Sequence, residues 1–550
     1  MFHRSPPQRF HSEKMENSTG YSMDYSKYMN EVGKSRHPAV LRVMESMYIG
    51  IPEGCVEFAA GKVDPEIFPF ESISVKLKDG NSFCLEGNDL MNAVQYQNSA
   101  GYPPLRKQLK EMVRHFHKPP YDAETILISG HQDGVCKTLE MMLEKGKSVF
   151  VADPTYASGI EMMRPYQPAY YTIREDADGI IPELLIEALE RSKKDCGGDP
   201  KKMGNLLYIV PNGSNPSGTV IPTKRKKEIY KIACDYDLLI LEDDPYFFHN
   251  YQEEDSISFL SLDTERRVIR IEGLSKLMTP GFRIGMATGP LPIIEKMEWH
   301  MQVSVGHLSS ISMMVIHKTL EKWGLEGFNK QVAYVREVYR KRRDLALASA
   351  EKYLKGLVKY NIPRAGMFIW MEVIGVEDIL DMVLKRAAPK GVMVVPGLTF
   401  FVPREGQDPP KNCFRLSYSY VKMEDIDRSH SSPPLDIDIQ EPMRMIKVSK
   451  CDYPRSIASA SESRHYEYRN RYIVDFCNDA ILSSSDHLFS PFDDLSCKSK
   501  GKLVIALDNV PSEARVDGEK LSVHRDGKSQ RDWQFCKQRH RHEVTIGRTQ

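Results

Sequence analysis

A lysine and a run of acids lie 33 residues apart (243 to 276), and each follows a short apolar segment. Lys276 comes after Val268–Ile271 in a turn-rich stretch of low charge, where a desolvated amine could form a Schiff base with a carbonyl compound. Three consecutive acids, Glu242–Asp244, follow Leu238–Leu241. Three carboxylates after a buried strand are costly unless a cationic group lies opposite them. A surface lysine and a helix cap are the simpler explanations, although a cap explains one acid and not three.

Groups suited to a phosphate and to a flat ring follow other apolar segments. Ser275 and Arg283 offer a hydroxyl and a forked guanidinium, which together suit a phosphate. Gly130–Gln132 begins a predicted helix, where unpaired backbone N–H groups and the positive end of the helix dipole favour an anion. Asn215 lies in a loop constrained by prolines and glycines, and Tyr156 could stack on a ring or simply pack. Taken singly, each of these signals is weak.

The elements that must position these residues are short strands that alternate with helix-length segments. Six runs are rich in Val, Ile or Leu and bounded by Gly, Pro, Asn or Asp, which is typical of strands buried on both faces. The runs are Thr125–Ser129, Ser148–Ala152, Leu206–Val210, Leu238–Leu241, Val268–Ile271 and Arg283–Thr288. The intervening stretches, such as Gln132–Lys145 and Thr223–Tyr236, have the pattern of amphipathic helices. This alternation predicts an α/β fold whose ligand lies beyond the carboxyl ends of the strands.

Together the segments supply an amine, a carboxylate, a stacking aromatic ring, an amide, a phenol and a phosphate cradle, each at the end of a predicted strand. One cofactor uses this set of groups. It is pyridoxal phosphate, which proteins bind as a lysine Schiff base with an acid opposite the pyridine nitrogen. The sequence therefore predicts a pyridoxal phosphate site.

The order and spacing of these motifs resemble the class-I/II aminotransferases of fold type I, most closely the kynurenine/α-aminoadipate and the fungal aromatic amino acid aminotransferases. The intervals are 28 (215 to 243), 33 (243 to 276) and 7 (276 to 283) residues. The resemblance covers about residues 24–425 and implies a large domain with a mostly parallel sheet sandwiched by helices, plus a smaller α+β domain. It rests on Tyr96–Gly101, Val210–Gly218, Arg225–Tyr230, Leu239–Tyr246 and Phe282–Gly285.

The resemblance implies a catalytic role for three residues and a cofactor-binding role for several more. Lys276 would form the internal aldimine and shuttle the proton between substrate Cα and cofactor C4′. Asp243 would keep the pyridine nitrogen protonated. Tyr246 and Asn215 would hydrogen-bond the ring oxygen of the cofactor, and Tyr156 would stack on the ring.

The same resemblance implies the residues that hold the phosphate and the substrate. The phosphate would be held by Gly130, His131, Gln132, Ser275 and Arg283. Tyr96 would reach the phosphate of the partner subunit, so a homodimer with shared active sites is expected. Arg415 and Asn215 would bind the substrate, with Arg415 clamping its α-carboxylate, and Arg42 would lie near its distal end. Gly61 belongs to the stretch that would lie over the substrate pocket.

Departures from the family pattern occur at the phosphate site and at the C-terminus. His131 stands where relatives often carry a small hydroxyl residue, and Gly273 stands where they usually have Ser or Thr. The implied domains are a disordered tail (1–23), an N-terminal arm with part of the small domain (24–65), the cofactor-binding domain (66–325) and the small domain (326–428). The segment 429–550 is unlike the family and is expected to be a largely disordered tail.

The composition excludes several other classes of protein. Lysine and arginine number 75 and so do the acids, whereas a nucleic-acid-binding protein should carry a basic excess. No apolar run approaches the ~20 residues that cross a membrane. The ten cysteines form no CxxC pair, which argues against a metal site and favours reduced thiols in a cytoplasmic protein.

The predicted function is transfer of the amino group of an aromatic amino acid (Tyr, Phe, Trp or kynurenine) or of an α-aminoadipate-type amino acid to a 2-oxo acid such as 2-oxoglutarate. The two half-reactions would share one site with ping-pong kinetics. A β-lyase or a cyclopropane-carboxylate-synthase-like enzyme is an alternative, because the scaffold does not determine the reaction. Two further alternatives are the sensor domain of a transcription regulator and a relative inactivated by its unusual C-terminus.

Overall fold

The computed structural model describes residues 23–47, 61–199, 202–252, 257–390, 392–404, 408–423, 513–516, 519–525 and 533–536. Residues 1–22 of the N-terminal tail predicted at 1–23, and most of the tail predicted at 429–550, therefore lie outside the described residues. The chain divides into two compact units, residues 1–451 and 452–550. Among the described residues, no helix combines the length and the apolar character needed to cross a bilayer.

The first unit contains ten helices within its described residues, joined in places by short 3-10 turns and one π-helical segment. The helices are α1 (Glu31–Ser35), α2 (Val40–Met47), α3 (Gly87–Val94), α4 (Pro103–His117), α5 (His131–Met142), α6 (Ala157–Met163), α7 (Pro182–Asp195), α8 (Thr223–Asp235), α9 (Leu291–Ser304) and α10 (Ser310–Leu354). Helix α10 is broken at Gly324, whose backbone has a φ of 56°.

The strands of the first unit include all six runs predicted from the sequence. They are β1 (Ile73–Lys76), β2 (Ser82–Leu85), β3 (Glu124–Ser129), β4 (Ser148–Asp153), β5 (Ala169–Asp176), β6 (Gly179–Ile180), β7 (Leu206–Ile209), β8 (Leu239–Asp243), β9 (Val268–Gly273), β10 (Ile284–Gly289), β11 (Val358–Tyr360), β12 (Phe368–Val373), β13 (Val395–Pro396) and β14 (Cys413–Ser417). Strand β5 was not among the predicted runs.

Eight strands form the main sheet, in the order β3-β10-β9-β8-β7-β4-β5-β6. The pairs β5–β4, β4–β7, β7–β8 and β8–β9 are parallel. Strand β10 is antiparallel to both β3 and β9, so β3 and β9 run in the same direction. Helices α5 and α9 pack against β3 and β10, and α7 packs against β4 and β5. This confirms the predicted α/β fold with a mostly parallel sheet.

The strand directions bring one end of most strands to a single edge of the main sheet. Strands β3, β4, β7, β8 and β9 all end there, and β10 begins there because it runs the opposite way. The strands themselves are apolar and almost fully buried, as in Leu127, Val149, Ile240 and Ile269, each 0% exposed. Burying each such side chain contributes about 1.5–3 kcal/mol to stability. The buried sheet therefore holds the residues at that edge in fixed positions.

A second sheet of four antiparallel strands lies in the later part of the first unit, in the order β11-β12-β14-β13. Its apolar face packs against one face of α10, which presents Ala346, Ala350 and Leu354 at intervals of four residues. This sheet falls within the segment 326–428, which the sequence assigns to the small domain; the remaining predicted domain boundaries stay predictions.

The second unit contains three described strands, β15 (Glu513–Val516), β16 (Glu519–Arg525) and β17 (Trp533–Cys536). They pair antiparallel in the order β15-β16-β17. The structure thus places a small sheet within the segment for which the sequence predicts a largely disordered tail.

Candidate active site

The residues predicted to do chemistry lie at the edge of the main sheet where the parallel strands end. Asp243 is the last residue of β8, and Lys276 follows the end of the neighbouring strand β9. Asn215 follows β7 and Tyr156 follows β4, while Arg283 directly precedes β10. The Gly130–Gln132 turn joins the end of β3 to α5.

The three consecutive acids at the end of β8 point to two different faces of the sheet, as alternation along a strand requires. Glu242 and Asp244 share one face, where Nη1 of the buried Arg270 lies 3.0 Å from Glu242 Oε1 and 2.9 Å from Asp244 Oδ2. This arginine is the cationic group that the sequence required opposite the acids. Asp243 faces the other way and is therefore available for a different task.

The carboxylate of Asp243 is 2% exposed and receives a hydrogen bond on each oxygen. Tyr208 OH donates to Oδ2 at 2.5 Å from the adjacent strand β7, and His131 Nε2 contacts Oδ1 from the start of α5. Burial raises the pKa of Tyr208 well above its usual value, and the charge of Asp243 raises it further, so the phenol keeps its proton. The two contacts fix the orientation of the carboxylate.

Tyr208, which hydrogen-bonds Asp243, was not among the site residues predicted from the sequence. It lies inside the apolar run of β7, where a tyrosine is ordinarily taken as part of the core. A signal was present, since a buried tyrosine hydroxyl usually requires a hydrogen-bond partner. The neighbouring strand offered acids as partners, but the sequence does not reveal which strands are adjacent.

Lys276 meets the conditions for an amine nucleophile. Surrounding protein desolvates the side chain and lowers the pKa of its ammonium group, and the positive charge of Arg283 lowers that pKa further. Both effects favour the uncharged amine, which is the form that attacks a carbonyl carbon. The backbone is also held in place, because His249 Nε2 donates to the carbonyl oxygen of Lys276 at 3.0 Å.

We predict that His249 makes the stability of the protein depend on pH. Burial lowers the pKa of His249 from 6.5 to about 4. Between these pH values the unfolded chain binds a proton that the folded protein does not. The stability is therefore complete above about pH 6.5 and falls as the pH drops towards 4, by about 3 kcal/mol in total. Urea unfolding of wild type and His249→Gln at pH 7 and pH 4 measures this difference.

The His249→Gln variant keeps a donor for the Lys276 carbonyl but does not titrate in this range. We expect its unfolding free energy to fall less steeply with pH than that of wild type. His37→Gln, at an exposed histidine, is the control. Identical pH dependence of wild type and His249→Gln would contradict the prediction.

The residues predicted to bind the phosphate lie around the guanidinium of Arg283. Arg283 has a φ of 54°, a left-handed conformation that is uncommon outside glycine and often found at functional sites. Its Nη1 lies 3.5 Å from Ser275 Oγ. Gly130, with a φ of 78°, allows close contact, since a Cβ there would lie 2.3 Å from Arg283 Nη2. The cation therefore lies against the N-terminus of α5, where Gln132 is exposed in the first turn.

The predicted carboxylate clamp lies on the small sheet and reaches the large one. Arg415, on β14, donates from Nη1 to Asn215 Oδ1 at 2.8 Å. Its guanidinium lies 4.4 Å from the ring centre of Phe368 and 5.0 Å from that of Phe400. Its Nε–H is buried and has no hydrogen-bond partner among the described residues. An anionic ligand would satisfy such a donor.

Two tyrosines lie beside this arginine. Tyr246 is buried and packs edge-on against Phe368, with ring centres 6.0 Å apart. Burial raises the pKa of Tyr246, with a further contribution from Tyr156, so both phenols belong to the same environment. Burial also lowers the pKa of the Arg415 guanidinium, which the two phenols partly offset.

Three other predicted site residues have the following surroundings. Tyr96 is 60% exposed and contacts the ring of His307 edge-on. Arg42 lies on α2 (Val40–Met47), and the N–H of Ala39, just before that helix, donates to Gln302 Oε1 on α9. Gly61 is exposed, with open space where a side chain would extend. Their roles toward the partner subunit and the substrate stay predictions.

The residues at the edge of the sheet fit pyridoxal phosphate. The aldehyde requires an amine, and the pKa of the Lys276 ammonium group is lowered. The pyridine nitrogen requires a carboxylate, which the buried Asp243 supplies. Arg283 at the helix N-terminus suits the phosphate, and Arg415, with its buried Nε–H, suits the amino acid substrate. Within the described parts of the chain, no group of three His, Cys, Asp or Glu side chains could hold a metal ion.

The known proteins to which this chain is similar are aminotransferases. The family model for aminotransferase class I and II matches residues 56–431. The bovine (Bos taurus) mitochondrial kynurenine/alpha-aminoadipate aminotransferase is 35% identical over 414 residues, which is 74% of this chain and 97% of the relative. The aromatic amino acid aminotransferase C569.07 of Schizosaccharomyces pombe is 30% identical over 357 residues, which is 58% of this chain and 75% of the relative.

Solved structures show the same likeness. The aminotransferase Aro8 from Candida albicans superposes with a TM-score of 0.65 at 26% identity, over 74% of this chain and 96% of that one. The kynurenine aminotransferase of Pyrococcus horikoshii, solved with PMP, has a TM-score of 0.57 at 31% identity, over 62% of this chain and 81% of that one.

Proposed function

Because the chain belongs to the class I and II aminotransferases, we propose that it transfers the amino group of an aromatic or α-aminoadipate-type amino acid to a 2-oxo acid such as 2-oxoglutarate. The proposed cofactor is pyridoxal phosphate. One observation carries the proposal beyond the family. Lys276, whose ammonium pKa is lowered, and the buried, doubly hydrogen-bonded Asp243 lie at the ends of neighbouring strands, at the edge that Arg415 of the small sheet also reaches.

Pyridoxal phosphate, when bound, withdraws electrons from the substrate Cα–H bond and carries the amino group between the two half-reactions. Lys276 Nζ would hold the cofactor through its aldehyde carbon, with release of water, and would then carry the proton at the substrate Cα. Asp243 keeps a proton on the ring nitrogen, and its buried position makes that charge interaction strong. Arg283, Ser275 and the start of α5 bind the phosphate.

The substrate is oriented by residues from both sheets. Arg415 binds the α-carboxylate, and Asn215 holds the guanidinium in place from the loop after β7. Amino acid and 2-oxo acid both carry this carboxylate, so one clamp serves both half-reactions and ping-pong kinetics follow. Aromatic rings surround Arg415, since Phe368 and Phe400 flank it and Trp370 packs edge-on against Phe400. This setting supports an aromatic or long amino donor, in line with the names of the relatives.

The proposal is tested by titrating the purified protein with amino acids while recording the cofactor absorbance. Tryptophan, phenylalanine, kynurenine and aminoadipate are the donors to compare, with 2-oxoglutarate as acceptor. Conversion of the bound cofactor to its amine form, with release of the matching 2-oxo acid, supports transamination. Release of ammonia and pyruvate from a β-substituted donor would indicate a β-lyase instead, and no spectral change with any donor would overturn the proposal.

We predict that Arg415→Gln lowers kcat/KM for both substrates by roughly 100-fold or more, because a charge-assisted pair with the carboxylate is lost. Steady-state kinetics with each substrate measure the effect. Tryptamine, which lacks the carboxylate of tryptophan, is a sharper probe. Wild type should discriminate strongly against it, whereas Arg415→Gln should not.

Arg340→Gln is the matched control for this variant, since Arg340 is exposed on α10 and pairs with Glu337 at 2.6 Å. Its kinetics should equal those of wild type. Equal discrimination against tryptamine by Arg415→Gln and wild type would rule out the clamp.

The active unit is proposed to be a homodimer in which Tyr96, exposed in the single chain, reaches the phosphate of the partner's cofactor. Light scattering of the holoenzyme measures the assembly, and a monomer with full activity would contradict it.

A cytoplasmic location is a prediction from the scattered cysteines alone. The mammalian relatives are named as mitochondrial enzymes, so cell fractionation decides between the two compartments.

A further inference from the structure

His131 lies in the Gly130–Gln132 turn, which is predicted to bind the phosphate, but its side chain points towards Asp243. The imidazole Nε2 contacts Asp243 Oδ1 on the neighbouring part of the sheet. Because an ionised carboxylate only accepts hydrogen bonds, Nε2 carries the proton and donates it. The other ring nitrogen, Nδ1, is buried and has no hydrogen-bond partner in the described chain. Within the part of the chain that the structure describes, Asp243 is thus the side chain that pairs with this ring.

The strand beside His131 is adapted to this arrangement. Gly273, at the end of β9, has no left-handed backbone that would require glycine. The space explains it instead, since a Cβ at this position would lie 3.2 Å from the Cβ of His131. That is tighter than an ordinary contact, so a serine or threonine at 273 would crowd the imidazole. The histidine at 131 and the glycine at 273 form a matched pair.

We propose that the His131 side chain is a positioning residue for Asp243, acting with Tyr208, and is not a ligand of the phosphate. Tyr208 and His131 approach the carboxylate from β7 and from α5, so the two donors fix its rotation. The remaining acceptor capacity of the carboxylate then serves the ring nitrogen. The backbone N–H groups at the start of α5 keep their predicted role toward the phosphate. This inference rests on the proposed cofactor site.

The first test uses the full-length apoprotein and does not depend on catalysis. With 15N-labelled histidine, the signal of His131, identified by its loss in His131→Phe, should be that of the Nε2–H tautomer with a strongly hydrogen-bonded proton. Asp243→Asn should shift this signal. An Nδ1–H tautomer, or a signal insensitive to Asp243→Asn, would overturn the proposal.

The second test uses the holoenzyme and separates positioning from structural support. In His131→Phe we expect kcat to fall roughly 10- to 100-fold, the effect of losing one hydrogen bond to a charged group, with little change in KM for the amino donor. The 15N resonance of the pyridine nitrogen of the labelled cofactor should move towards that of an unprotonated pyridine. His131→Gln, which keeps an N–H donor of similar reach, should restore most of both properties.

The matched control is His300→Phe, because His300 is also a partly buried histidine facing a carboxylate, with Nε2 3.6 Å from Glu140 Oε2. It should leave kcat and the ring nitrogen signal unchanged. Unchanged values in His131→Phe would overturn the proposal. If wild type itself binds no cofactor, the proposed function fails instead, and the apoprotein test still decides the His131–Asp243 contact.

The pairing of His131 with Gly273 gives a third measurement, the dissociation constant of the cofactor. Gly273→Ser alone should weaken cofactor binding, because a Cβ at 273 would lie 3.2 Å from the His131 Cβ and would push His131 aside. In His131→Ser/Gly273→Ser the crowding is absent, so binding should recover while the loss in kcat of His131→Ser persists. Recovery of kcat in the double variant would mean that His131 acts through the phosphate, which is the opposite of the proposal.

Discussion

The Lys276→Ala variant is expected to lose at least about four orders of magnitude in turnover while remaining folded. A positioned proton-transfer group alone contributes roughly 10²–10⁴-fold, and the covalent attachment of the cofactor is lost with it. The environment of Lys276 supports this role, since desolvation and Arg283 lower the pKa of its ammonium group. Borohydride reduction followed by peptide mapping should label Lys276 in wild type and no lysine in the variant.

An exposed lysine of α10 provides the control. Lys330 pairs with Glu326 at 2.6 Å, and Lys330→Ala should retain both turnover and labelling at position 276. Addition of a small primary amine should restore part of the activity of Lys276→Ala, because the amine can replace the missing proton carrier. Wild-type labelling at another lysine would contradict the assignment.

Asp243→Asn should lower kcat by several orders of magnitude with little loss of stability. The amide is nearly isosteric with the carboxylate and can still accept from Tyr208, but it carries no charge to hold a proton on the ring nitrogen. In a buried setting that charge interaction is much stronger than in water. Kinetics of both half-reactions and the 15N resonance of the ring nitrogen measure the effect. A cofactor analogue with a permanently charged ring nitrogen should recover part of the rate.

The control for this charge removal is Asp237→Asn, since Asp237 pairs with Arg267 at 2.8 Å away from the edge of the sheet. Asp237→Asn should lower the unfolding free energy and leave kcat close to that of wild type. Asp243→Asn with nearly normal turnover would remove the central support for the proposed mechanism.

Much of the fold was predictable because strands buried on both faces carry an obvious signal. Six apolar runs were predicted and all six are strands. Strand β5 was missed because its residues are only half-buried, with tyrosines, arginine and acids among them, so no uninterrupted apolar run marks it. Periodicity also cannot reveal strand order. The antiparallel placement of β10 between β3 and β9 became visible only in the structure.

At the site, residue types could be predicted but the pairings could not. The cost of three adjacent acids indicated a cationic partner, and Arg270 fills that place for two of them. Neither Tyr208 nor the side-chain direction of His131 could be predicted, because each depends on which strands are neighbours. The contact between Arg415 and Asn215, 200 residues apart, likewise depends on how the small sheet approaches the loop after β7.

The antiparallel course of β10 has a consequence for how the chain tolerates changes in length. Lys276 and Arg283 belong to a single hairpin, closed where Gly285 pairs with Gly273 and where the Leu274 N–H donates to the Ile284 carbonyl at 3.1 Å. The number of residues between Lys276 and the phosphate-binding Arg283 is therefore set by residues 277–282 alone. Insertion or deletion of one residue there would separate the two ends of the bound cofactor from their ligands. The exposed Gly197 and Gly198 of the α7–β7 connection, by contrast, lie where the chain can change length without altering the site.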